Sequence, residues 1–157
     1  MTPPPATPEH LWLHRLLGNW TWDHEAIPGD PTTEDHEHGE STEDWRCLGD
    51  LWLVGEGNSE HGPMMFTLGY DPERKAFVGH FVTALMTFLW TYNEGHLEGP
   101  DKLVLHAVGP SMSPEGGMAN YRDEIEFVGP DERLLCSFVE GPAGTWTQFM
   151  QARYRRR

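Results

Sequence analysis

One pattern limits this chain more than any other: a proline turn that recurs ahead of short apolar stretches. YDPERKAF, EGPDKLVL, VGPDERLL and EGPAGTWT each place Asp or Gly before Pro, then polar or small residues, then a strand-like run. Pro presets φ at the second turn position, and Asp or Gly suits the position before it. HGPMMF is a looser fifth case. Pro63 and Pro72 lie 9 apart, Pro100 and Pro110 lie 10 apart, and Pro130 and Pro142 lie 12 apart. Short strands with turns at this spacing predict an antiparallel, all-β meander.

The start of the chain differs. TPPPATP is too proline-rich to pack, so residues 1–7 are expected to be a disordered leader and residues 8–157 one domain. PEHLWLHRLL reads as one short helix, capped by Thr7, opened by Pro8 and stopped by Gly18. The period then changes to two. Trp20, Trp22 and His24 share one strand face, while Thr21, Asp23 and Glu25 share the other. Further strands are expected in TEDWRCLG, LWLVGEGN and MMFTLGY. In GYDPERKAFVGHFV, Asp71-Pro72-Glu73-Arg74 reads as a type I hairpin turn whose charges face solvent.

About nine or ten strands after one helix can close into an up-and-down barrel, which removes the exposed edges a meander leaves. Gly18-Asn19-Trp20 opens the first strand and is similar to the G-x-W of lipocalins and related calycin barrels. That resemblance implies that Trp20 plugs the closed end, with Arg153 of the last strand stacked on it. A broader resemblance spans most of the chain. HLWLHRLLGNW, IPGDP, LGDLWLVGEG, LGYDPERKAFVG and ARYRRR resemble the bacterial DUF1579 family, which is regarded as calycin-like. It implies the fold class, an antiparallel calycin-like barrel with a short N-terminal helix, and adds almost nothing about chemistry.

Charge excludes one class of partner. The chain carries 25 acidic against 11 basic residues, a formal charge of −14. A nucleic-acid face needs a basic patch, and RYRRR at the C-terminus is short and terminal. MTPPPATPEH has neither the positive nor the apolar region of a secretion signal, so a cytoplasmic protein with reduced Cys47 and Cys136 is expected. AFVGHFVTALMTFLWTY, at 17 residues, is marginal for a membrane span, contains Gly79 and His80, and reads as soluble strand.

Candidate chemistry is sparse. His36 and His38 alternate in DHEHGE, and His10 and His14 are four apart on the helix, but spacing supplies pairs only, so no metal site is expected. Neither cysteine lies where a lowered pKa is expected, and no G-x-S-x-G elbow occurs. Haem barrels of the nitrobindin type resemble the chain in size and class. The chain lacks G-x-W-x-G-x-G and has no His in TWTQFMQARY, so no cofactor is expected. Seven Trp and seven Met fit either a packed interior or an apolar cavity.

The expected function is therefore a lipocalin-like barrel that binds a small apolar or aromatic molecule. Its wall is expected to include Trp22, His24, Trp45, Phe66, His80, Trp90 and Tyr121. The alternatives are an enzyme, with His80 or His24 as general base beside Glu43 or Asp123, or a purely structural dimeric domain. One further expectation concerns residues 76–92, where both faces are apolar: Phe77, Phe81 and Leu85 on one, Val78, Val82 and Met86 on the other. Only one face can point into a barrel, so a homodimer through this segment is expected, with His80 buried in it or in the cavity.

Overall fold

A computed structural model describes residues 1–36 and 41–157. The helix α1 (Pro8–Leu13) continues into one 3-10 turn (His14–Leu16). Ten strands follow: β1 (Gly18–His24), β2 (Ser41–Leu48), β3 (Trp52–Ser59), β4 (Gly62–Asp71), β5 (Ala76–Thr83), β6 (Trp90–Leu97), β7 (Lys102–Pro110), β8 (Met118–Gly129), β9 (Glu132–Glu140) and β10 (Trp146–Arg156). Neighbours in sequence pair antiparallel, and β1 closes the barrel on β10. Among the described residues no helix is long and apolar enough to cross a membrane.

Pro72, Pro100, Pro130 and Pro142 lie in the connections between strands as the spacing predicts, whereas Pro63 and Pro110 lie within β4 and β7, paired with Asn58 and Met118. Between β4 and β5, Asp71 Oδ1 accepts from the backbone N–H of Glu73 at 2.9 Å and of Arg74 at 3.2 Å. Lys75 ends that turn at φ 55°, in the left-handed region that normally favours glycine. At the other end of the chain, Thr7 is the N-cap of the helix. Its backbone N–H donates to His10 Nδ1 at 3.0 Å, and its carbonyl accepts from Leu11.

One end of the barrel is filled. The helix and its 3-10 turn lay Leu13 and Leu16 over it, both fully buried, and Trp20 Nε1 donates to the Leu16 carbonyl at 2.8 Å. Trp20 is the expected plug, but its cation is not Arg153. Trp20 pairs across the sheet with Arg156, whose guanidinium stands 4.2 Å from the ring centroid. Arg156 also donates to the backbone carbonyls of Arg15, Leu17 and Pro130 and pairs with Asp131. It thereby satisfies carbonyls left open where the helical segment ends. Arg153 has the opposite parity on β10. It points outward and binds Glu25, with Nε to Oε2 at 2.7 Å, and Glu132 at 3.1 Å.

The segment 76–92 is not one strand. β5 ends at Thr83, residues 84–89 form a connection, and β6 starts at Trp90. Phe77, Gly79 and Phe81 face inward while Val78, His80 and Val82 face outward. Gly79 is required by close approach: a Cβ there would lie 1.9 Å from the Thr67 carbonyl oxygen.

Candidate functional site

The interior divides into two halves. Below Trp22 it is packed. Glu43 on β2 and Arg133 on β9 are each 1% exposed and form an ion pair of 2.5 Å. Trp45 Nε1 donates to the same Glu43 oxygen at 2.6 Å. The Arg133 guanidinium lies between two rings, 4.7 Å from the Trp20 centroid and 3.8 Å from that of Tyr154. The pair is close and flanked by rings, but Glu43 Oε2 and Arg133 Nε are buried with no hydrogen-bond partner among the described residues, so its compensation is incomplete. The Tyr154 hydroxyl is pushed well above its usual range by burial first and by Glu43 second.

Above Trp22 the barrel is hollow. A cavity of about 330 Å³ opens toward the end opposite the helix. Phe66, Phe81, Trp22, Tyr154 and Leu135 form its deeper wall. Leu85, Met86, Trp90, Tyr121, Phe149 and Met150 stand nearer the mouth. Seven strands supply these side chains, apart from Leu85 and Met86 on the 84–89 connection, and ring packing holds them. Phe66 and Phe81 meet at 4.4 Å between centroids, and Trp90 meets Tyr121 edge to face at 4.9 Å. Trp90 lies flat against Gly109, where a Cβ would come within 2.1 Å of its ring.

Few polar side chains interrupt this wall. Asp123 on β8 is the main one. Its Oδ2 accepts from Tyr92 on β6 at 2.5 Å, and its Oδ1 accepts from Ser137 on β9 at 2.6 Å. Burial raises the Asp123 pKa, opposed by these two hydrogen bonds. Tyr92 is raised well above its usual range by burial and then by Asp123, so it stays a neutral donor. No lysine or arginine lines the cavity among the described residues.

Of the seven expected wall residues, five line the cavity: Trp22, His24, Phe66, Trp90 and Tyr121. Trp45 lies deeper, stacked on Phe66 at 5.8 Å between centroids and bonded to Glu43. His80 is a correction. It is exposed on the outside of β5, with Nδ1 3.3 Å from Thr67 Oγ1. One residue of parity moved it from wall to surface. Tyr92, Ser137 and Leu135 were missed. Each is an ordinary alternating position, and only Asp123, one charge on the Tyr121–Ile125–Phe127 face of β8, broke the pattern visibly.

The general-base pairing is not assembled. Glu43 is held by Arg133 and Trp45, Asp123 by two hydroxyls, and His80 is outside. His24 stands at the mouth with its pKa lowered by burial first, then by His36. It shares an adjoining recess of about 380 Å³ with His36 and His61. His38 lies outside the described residues, and among those described no group of three ligands is arranged for a metal. Cys47 and Cys136 are free thiols, and burial pushes Cys136 up to about 11.

Beside the cavity the wall is thin. β6 and β7 pair only at His96–Val104 and Leu97–Leu103. Beyond that the two strands border an outer groove of about 510 Å³, which reaches Tyr121 from the other side. The Tyr121 hydroxyl donates to the Pro110 carbonyl and holds the ring in place.

A family model described as a protein of unknown function, DUF1579, matches residues 5–156. The chain belongs to the DUF1579 family. No curated protein matches it. For this DUF1579 protein, the matched region spans the helix and all ten strands, so the barrel and its half-hollow interior lie within the family unit.

Proposed function

We propose that this DUF1579 protein is a binding barrel, lipocalin-like in use, for one small molecule that is mostly apolar or aromatic. The observation that carries the reading is the contrast inside the barrel. The closed half is filled by Trp20, Trp45, Arg133 and Tyr154, whereas the open half leaves about 330 Å³ walled by aromatic rings and Leu, Met and Ala. A volume of this size, apolar with few polar groups, suits a small ligand. Space that served stability alone would be filled, because a cavity lined by apolar groups costs dispersion contacts.

The test uses methylnaphthalene as a probe, followed by quenching of Trp22 and Trp90 fluorescence and by native mass spectrometry. Saturable binding of one probe per chain is expected. Leu135→Trp, which fills the cavity from β9, is expected to abolish it while thermal melting shows a folded barrel. Probe binding that is absent, or unchanged by Leu135→Trp, refutes the reading.

The homodimer through residues 76–92 belongs to the same proposal, on a smaller surface than the sequence suggested. Outward on β5 the apolar side chains are Val78 and Val82, joined by Leu85 and Leu89, which are 63% and 53% exposed. Sedimentation at micromolar concentration decides it, and a monomer removes it.

A further inference from the structure

The cavity contains an imbalance that its apolar wall does not explain. Asp123 is the sole acidic residue among the described residues that line it, and no lysine or arginine lines it. It makes no ion pair among the described residues. Its two partners are hydroxyls on different strands, Tyr92 and Ser137, one to each oxygen. They fix the carboxyl plane and leave a further lone pair on each oxygen. Asp123 is partly buried and is among the residues that line the cavity.

Elsewhere in this barrel a buried carboxylate is treated differently. Glu43 is given a guanidinium and an indole N–H. A carboxyl in low dielectric without a cation is costly when ionised, and burial accordingly raises the pKa of Asp123. A ligand that brings a cation removes that cost. The aromatic wall favours the same ligand, because Trp22, Trp90, Tyr92 and Tyr121 present rings to any cation beside them. The formal charge of −14 also attracts cations toward the mouth.

We propose that the cavity binds an amine: a small molecule with an aromatic or branched apolar body and one amino group that donates to Asp123. This rests on the reading of the cavity as a ligand site and names the class of ligand. A neutral hydroxyl compound gains one ordinary hydrogen bond there. An ammonium gains a charge-assisted one and neutralises the carboxylate. A carboxylic acid is repelled.

The experiment compares naphthylmethylamine, naphthylmethanol and methylnaphthalene by calorimetry at neutral pH. All three share one body, so their ranking isolates the polar group. The amine is expected to bind about tenfold or more tighter than the other two, as charge assistance implies. Asp123→Asn is expected to bring the amine down to the affinity of the alcohol and leave methylnaphthalene unchanged. Leu135→Trp is expected to abolish all three. Equal binding of amine and methylnaphthalene to the native chain overturns the amine assignment and leaves the apolar cavity standing, with no variant needed. An amine preference that survives Asp123→Asn in a folded variant also overturns it. Failure of all three probes overturns the cavity reading and this inference together.

Discussion

Two carboxyl groups lie inside the same barrel and are treated in opposite ways. Glu43, in the filled half, meets a guanidinium at 2.5 Å and an indole N–H at 2.6 Å. Asp123, in the hollow half, meets two hydroxyls and an open space. The first arrangement is enclosed by packing: Arg133 is sandwiched by Trp20 and Tyr154, and Trp20 is covered by Arg156 and the helical segment, although Glu43 Oε2 and Arg133 Nε have no hydrogen-bond partner among the described residues. The second stays open on one side. The same residue chemistry thus has two environments: an ion-paired carboxylate in the filled half, and in the hollow half a carboxyl held by hydroxyls at the cavity wall.

Removing the cation from the closed half should produce the largest effect. Arg133→Met leaves Glu43 buried and uncompensated, so a loss of about 3–5 kcal/mol in urea unfolding is expected. The double variant Glu43→Gln/Arg133→Met should recover much of that loss. If the double variant is as damaged as the single one, packing rather than charge holds this end together. Arg156→Gln comes next. It gives up charged hydrogen bonds to three carbonyls and an Asp, for an expected loss of about 1.5–3 kcal/mol. Arg153→Gln, on the surface, should cost less than about 1 kcal/mol by the same measurement. The reverse order would restore Arg153 as the partner of Trp20.

In the open half the sign changes. The folded pKa of Asp123 is raised above the 3.8 of a free Asp. A carboxyl shifted upward supports the fold fully at low pH, and that support is lost as pH rises through its folded pKa. Asp123→Asn is therefore expected to unfold at a higher urea midpoint than the native chain at neutral pH, with the gain shrinking toward about pH 4. A lower midpoint at neutral pH would mean that Asp123 serves stability, as Glu43 does, and would erase the contrast.

The smallest effect belongs to the mouth. The pKa of His24 is lowered from 6.5 by burial and by His36, with His61 acting in the same direction and Glu60 and the Gln151 backbone opposing. The unfolded chain then binds this proton more readily, so the contribution of His24 is complete above 6.5 and is lost as pH falls below it. His24→Gln should make the melting temperature fall less steeply between about pH 7 and about pH 5. An unchanged slope would place the lost stability at other groups.

Much of the fold was legible because its signals are local. Asp71-Pro72 is a turn through its own backbone and side-chain geometry, and Asp71 does accept from Glu73 and Arg74. The alternation of Trp20, Trp22 and His24 specified an inward face without reference to any partner strand. The candidate site was legible in part. Five of its lining residues stood out as aromatic or His positions, whereas Tyr92, Ser137 and Leu135 looked like any other alternating residue. His80 was misplaced because an apolar run with no polar alternation carries no mark of its own parity.

What the sequence determined by itself was the all-β class, the short helix at the start and most of the turn positions. Each follows from neighbours a few residues apart, whereas a place for Trp20 at the closed end was implied only by resemblance to calycin barrels. Tertiary structure alone decided which cation covers that Trp, since strand register pairs Trp20 with Arg156 and sets Arg153 beside Asp23. It alone decided that β6, β8 and β9 bring Tyr92, Asp123 and Ser137 to one point. It alone decided that half of the barrel is filled and half is hollow. Register, closure and the volume left between opposite walls are properties of strands far apart in sequence, and no local periodicity encodes them.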